Sequence, residues 1–150
     1  MDSLFNSETV KKFVQRMDRL TPQSRSEWGK MDVAQMLTHC QKPLEIASGK
    51  IVPKVNPLIK LLFGKSARKS ILRDPQFKKN IPTFAEAKIV DKRVFDAEKK
   101  TLIDLMEKFQ KNGPEGITKK AHPFFGEMSI EEWDALQTKH LDHHLRQFGV

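Results

Sequence analysis

Tyrosine is absent from the 150 residues, and cysteine occurs once, at position 40. A lone thiol cannot close an internal disulfide, so a disulfide-stapled scaffold is excluded and a reducing compartment fits. No stretch approaches the roughly 20 consecutive apolar residues that a bilayer crossing needs. The N-terminal "MDSLFNSETVKKF" has no basic n-region followed by an apolar h-region, so no signal peptide is expected. A cytoplasmic protein with no membrane partner is the expectation. Acidic residues are scarce between positions 50 and 80, where Asp74 stands alone against nine basic side chains. That segment accounts for the whole net charge of +8. Such a stretch either forms a solvated surface or meets an anionic ligand. Few aromatics interleave with it, Phe63 and Phe77 only, and no helix-turn-helix pattern accompanies it, so nucleic acid is not the expected partner.

What remains is enough for one domain. Hydrophobic residues make up 38%, with ten Phe, two Trp and six Met to fill a core. Four segments repeat apolar side chains at three- and four-residue steps, as one face of a helix requires. The first runs from about Ser7 to Leu20 and stops before Pro22. The second runs from about Met31 to Ser48, with Asp32 and Gln35 spaced as a capping box, Pro43 expected to kink it and Gly49 to end it. The third runs from about Asp96, as N-cap, to Lys111, and "NGP" closes it. The fourth starts at Ser129, whose capping-box partner is Glu132, and continues towards the C-terminus.

Between Lys50 and Phe95 the pattern is weaker. "NPLIKLLFG" reads as a short helix closed by Gly64. "RDPQFKKNIPTFAEA" reads as irregular, and "KIVDKRVF" as a strand or an extended lead-in. The fold class that follows is an all-α four-helix bundle with one long crossover between its second and third helices.

Histidine is also sparse, five in all, yet three of them stand at positions 140, 143 and 144. At about 100° per residue, with Trp133 at zero, His144 falls near +20° and His140 near −20°. Both therefore point with Trp133 into the bundle, one turn apart, the spacing at which two imidazoles chelate one ion. His143 lies about 80° off and flanks them. Gln147, about 40° off, is the better-phased outer partner for a ligating imidazole, with Asp142 an alternative. Two imidazoles are too few for a stable site. His39, on the second helix about 110° from the centre of its apolar stripe and so on a flank that a second bundle contact could bury, is preferred as third ligand over His122, which sits in the loop "AHPFFG". The same histidines also fit a hydrogen-bonded buried network, and spacing alone leaves both readings open. Cys40 lies mid-stripe, about 100° from His39, so it reads as a small buried hydrophobe and not as half of a Cys-His dyad.

The form "HLDHHLRQ" resembles the last-helix motif of the DinB/YfiT superfamily of four-helix metalloproteins, and "WGKMDVAQMLTHCQ" resembles its second-helix motif. Together with "KNIPTF" and "HPFFGEMSIEEW", these stretches look like one uncharacterised branch, a domain of unknown function. The resemblance runs from Trp28 onward. It implies an up-down-down-up bundle and a divalent metal, zinc or nickel foremost, held by His39, His140 and His144. Gln147 and His143 would stand behind these ligands. Characterised relatives include transferases and isomerases that use bacillithiol, mycothiol or glutathione. The resemblance thus implies a divalent-metal-dependent enzyme, a thiol S-transferase acting on a small electrophilic substrate, with a low-molecular-weight thiol as co-substrate. A metal-dependent hydrolase and a non-enzymatic stress-related binding protein are the alternatives, and a homodimer is compatible with either.

Overall fold

A computed structural model describes residues 2–74 and 76–150. The chain is all-helical, and no strand forms among the described residues. Five α-helices follow one another: α1 (Ser7–Met17), α2 (Val33–Ala47), α3 (Pro57–Arg73), α4 (Phe95–Asn112) and α5 (Ile130–Gln147). Two 3-10 turns, Ala85–Ala87 and Gly113–Gly116, lie before and after α4. Among the described residues no helix is long and apolar enough to cross a membrane.

Local chemistry explains most of the boundaries. Asp32 and Ser129 each accept a bond from the main-chain N–H three residues on, and Gln35 and Glu132 return the bond to the cap, so both expected capping boxes form. Gly49 follows α2 with φ +73°, as a helix-terminating glycine should. Gly113 ends α4 at φ +57°. Two expectations shift. The first helix ends at Met17, three residues early, in a turn that bonds Arg19 and Leu20 back to Arg16 and Met17. Asp96 is not the N-cap of α4; Val94 holds that place without a side-chain bond, and Asp96 instead adds negative charge to the first turn.

The larger correction concerns the crossover. It carries a fifth helix, α3, which runs through Gly64 instead of ending there. Asn56 caps it by accepting from the N–H groups of Leu58 and Ile59, with Pro57 at the first helical position. Gly64 is needed for approach and not for termination, because a Cβ there would lie 2.6 Å from the Phe124 carbonyl oxygen. Residues around "KIVDKRVF" stay non-regular until α4 begins.

Helices α1, α2, α4 and α5 pack against one another, α2 most extensively along α4, while α3 packs on α5. Leu37, Leu102, Met106, Leu141 and Leu145 are at most 2% exposed and form the centre of one continuous core. Burying each such side chain contributes about 1.5–3 kcal/mol. Lys139 anchors α3 to α5: its ammonium donates to the carbonyls of Ile71, Leu72 and Asp74 at 2.8–3.0 Å. These are groups at the C-terminal end of α3, where a cation also meets the negative end of the helix dipole.

The loop "AHPFFG" closes on itself. His122 and Gly126 exchange main-chain bonds, and His122 Nδ1 accepts from the N–H groups of Phe124 and Phe125 at 3.1 Å. The ring is buried against Phe125 and Trp133.

Two outcomes follow. Lys139→Met should cost about 1–3 kcal/mol and raise hydrogen exchange in the last turns of α3 more than in α2 or α4. Burial, with a smaller part from the Lys60 charge, pushes the His122 imidazole from 6.5 down to about 4. The unfolded chain therefore takes up this proton below pH 6.5 while the folded chain resists it, so the contribution is present above 6.5 and is lost as pH falls towards 4. Urea titrations across that window should show a shallower pH slope for His122→Asn, whose side-chain oxygen accepts amide bonds without titrating.

Candidate metal centre

His39 comes from α2 and His140 and His144 from α5, and the structure brings the three together. Each offers one ring nitrogen, and these atoms lie within 4.8 Å of one another. His39 Nε2 is 3.1 Å from His140 Nε2. The ring of His144 stands edge-on to both, with centroids 4.6 Å from His39 and 4.5 Å from His140. His39 is 6% and His144 8% exposed, and the flank of α2 that carries His39 is buried because α2 packs on α5 as well as on α4.

Outer hydrogen bonds set the tautomers. His39 Nδ1 lies 2.7 Å from the Ala87 carbonyl oxygen, which can only accept, so Nδ1 carries the proton and Nε2 keeps a lone pair. His144 Nδ1 is 2.7 Å from Gln147 Oε1. The carboxamide is oriented by its other end, since Gln147 Nε2 donates to the Trp28 carbonyl at 2.6 Å. Oε1 therefore faces His144 as an acceptor, and His144 also presents Nε2 as a lone pair. The main chain adds a second tie, with the Glu27 N–H donating to the Gln147 carbonyl at 2.8 Å. Gly29, at φ +81°, completes the fit: a Cβ there would lie 2.6 Å from Gln147 Nε2.

Burial is the first cause that lowers every imidazole in the group. His144 is pushed down to about 3, and His140 well below its ordinary value, with the charges of His144, His39 and His143 acting second. His39 is lowered by burial against a smaller opposing effect of its bond to Ala87. All three are neutral at pH 7, the form that binds a cation.

The donor set fits a divalent metal. Bonds of about 2.0–2.1 Å at tetrahedral angles place two nitrogens about 3.3 Å apart, close to the His39–His140 separation. Without a cation, two lone pairs at His39 Nε2 and His140 Nε2 would repel unless one ring supplied a proton. The buried His140 Nδ1 has no hydrogen-bond partner, so this ring alone has no outer bond to fix its tautomer. Three imidazoles leave further coordination positions without a protein donor, the pattern of reactive and not of closed structural sites.

The remaining candidates fall into place around the triad. His143 touches His144 edge-on, with centroids 5.0 Å apart, and lies between Trp28 and Phe77. It makes no hydrogen bond to a triad member, so it is a wall and not an orienting partner. Asp142 is engaged elsewhere, 2.8 Å from Arg16 and 3.7 Å from Arg146. Cys40 is 1% exposed, 3.7 Å from the Met36 sulfur, and burial raises its thiol far above the ordinary value. Sequence reasoning missed Phe77, whose ring stands 6.1 Å from that of His140, and it missed the Ala87 carbonyl. A narrow cleft of about 40 Å³ opens beside the triad between Trp28, Phe77, Lys79, His143 and Arg146.

Removing an outer partner of a metal-bound imidazole typically lowers affinity 10–100-fold. Gln147→Ala should therefore weaken zinc binding by about that factor in competition with a chromophoric chelator, with helicity unchanged. Gly29→Ala should act in the same direction by displacing the carboxamide.

No curated protein and no solved structure matches the chain. A family model described as "Protein of unknown function (DUF1569)" matches residues 4–149. The match spans the triad, its outer partners and all five helices, and the chain belongs to the DUF1569 family.

Proposed function

We propose that this protein is a divalent-metal-dependent enzyme in which His39, His140 and His144 hold the ion, and that it transfers an external low-molecular-weight thiol to a small electrophile. The observation that carries the proposal is the pair of fixed tautomers: Ala87 and Gln147 turn two buried Nε2 lone pairs towards the third imidazole. In this reading α1, α2, α4 and α5 are the four helices of a DinB-like bundle, with α3 an addition within its crossover. Zinc and nickel both suit an all-imidazole donor set.

A metal bound by three neutral ligands keeps its full charge and lowers the pKa of a thiol or water that joins it. The chain's own residues support the thiol reading. The triad has no carboxylate among its ligands, so no internal anion offsets the charge that would stabilise a thiolate. Cys40 is buried and held as a thiol, so the sulfur must come from outside. His143 borders the cleft, and burial lowers its pKa first, which keeps it neutral and able to accept a proton. Lys79 and Arg146 border the same cleft and would meet the carboxylates that small cellular thiols carry.

The same neutral His143 favours a second reading, in which bound water replaces the thiol and the reaction is hydrolysis. A panel of electrophiles assayed for thiol consumption and for hydrolysis separates the two. Thiol transfer should require added metal in chelator-treated protein, and His140→Ala should abolish it together with metal binding. Full activity in metal-free protein would refute both readings.

A further inference from the structure

The apolar half of α3 is not used by the core. Leu58, Ile59, Leu61, Leu62 and Phe63 are 48–78% exposed, and Val52 just before the helix is equally open. Five large apolar side chains in six consecutive residues, all facing solvent, are far from the scattered exposure that a surface tolerates. With Leu58 at zero on the helical wheel, they spread from about −60° at Leu61 to about 140° at Phe63. The side turned to the protein carries Gly64, close to the Phe124 carbonyl, and Arg68, paired with Glu132.

Charge is arranged along the axis. The outer face of the first two turns is apolar, with Lys60 set towards the other side. On the same outer face, Lys65, Lys69 and Arg73 follow at about −20°, 20° and 60°, all exposed, and Lys54 stands exposed before the helix. No acidic residue occurs within α3.

We infer that the outer face of α3 docks on an anionic lipid surface, with the Leu58–Phe63 turns entering the headgroup–acyl boundary and Lys65, Lys69 and Arg73 meeting lipid phosphates and carboxylates. No helix among the described residues is long and apolar enough to cross a membrane, so the proposed contact is with a surface. Two features select this occupant. A groove on a partner protein receives a narrow stripe of side chains at i, i+3, i+4 and i+7, whereas an arc of about 200° can be immersed in lipid without a matching wall. A symmetric second copy, meeting α3 with α3, offers no acidic residue to Lys65, Lys69 and Arg73; an anionic leaflet attracts the same residues. This inference does not depend on the metal.

Vesicle flotation tests it, with phosphatidylcholine alone and mixed with phosphatidylserine. The full-length protein should float with the mixed vesicles at low salt and be released by high salt. Each surface lysine contributes about a five-fold factor, so Lys65→Glu with Lys69→Glu should weaken partitioning by more than about twenty-fold. Leu61→Asp with Leu62→Asp should abolish it. All four positions are exposed, so thermal midpoint and circular dichroism should stay unchanged, which separates lost docking from lost folding. The idea is overturned if the parent protein stays with the unbound fraction at low salt, or if the leucine variant floats equally well. A concentration-dependent dimer abolished by the leucine variant, without vesicle binding, would assign the face to a second copy. Retention on an acidic polypeptide without vesicle binding would assign it to a protein partner.

Discussion

The carboxamide of Gln147 is the hinge on which the candidate centre turns. Its nitrogen is committed to the Trp28 carbonyl, so its oxygen must face His144. A carboxamide with a free nitrogen could flip and offer a donor, and His144 would then be driven to the opposite tautomer. Commitment at one end is therefore what gives the other end its meaning. The arrangement also joins distant parts of the chain, because Trp28 belongs to the loop before α2 while Gln147 closes α5. Gly29 has to be a glycine on two counts, its positive φ and the 2.6 Å approach of Gln147 Nε2 to the place where a Cβ would stand.

His39 is oriented by different means. Its acceptor is a backbone carbonyl, Ala87, in the short 3-10 turn just before α4. The crossover therefore has a structural duty at the centre. It delivers Ala87 behind one imidazole and Phe77 beside another, while Lys79 lies 4.1 Å from the Trp28 ring centroid. Without the crossover, α2 and α5 could bring three histidines together but could not fix the tautomer of His39. The length of the segment between α2 and α4 fits this role better than that of a passive linker.

Much of this was legible in the sequence, and the exceptions have physical causes. His140 and His144 could be phased because α5 is a regular helix with Trp133 and Leu136 marking its inner face. Both capping boxes could be read because they depend on two side chains three residues apart. The start of the fifth helix was legible, but its continuation to Arg73 was hidden, because its apolar residues face outward and its partner-facing side is a glycine and charged residues, so it lacks the stripe that betrays a packed helix. Gly64 then read as a stop, when its absent side chain serves the contact with Phe124. Ala87 was invisible for a deeper reason: a backbone carbonyl as acceptor leaves no mark on the residue type. The burial of His39 off the centre of its stripe follows from a helix that packs on both α4 and α5.

The chemistry of the triad constrains what can react there. Three neutral donors give a cation no charge compensation from the protein, so the site as a whole favours an anion as the next ligand. Desolvation sharpens the preference, because burial already makes protonation of these imidazoles unfavourable and a metal is the cation they can accept without a proton. If a metal is bound there, an anionic fourth ligand would be formed at the site or arrive as such. A thiol near its ordinary pKa of about 8.5 is a smaller step from its anion than water at 15.7. In the proposed reaction the proton would go to the neutral imidazole of His143 in the adjoining wall, since Asp142 is drawn away by Arg16 and Arg146. A weak base beside an acidified thiol is well matched, whereas activation of water would place more of the demand on the metal. Under the proposed function, that asymmetry would favour thiol transfer over hydrolysis.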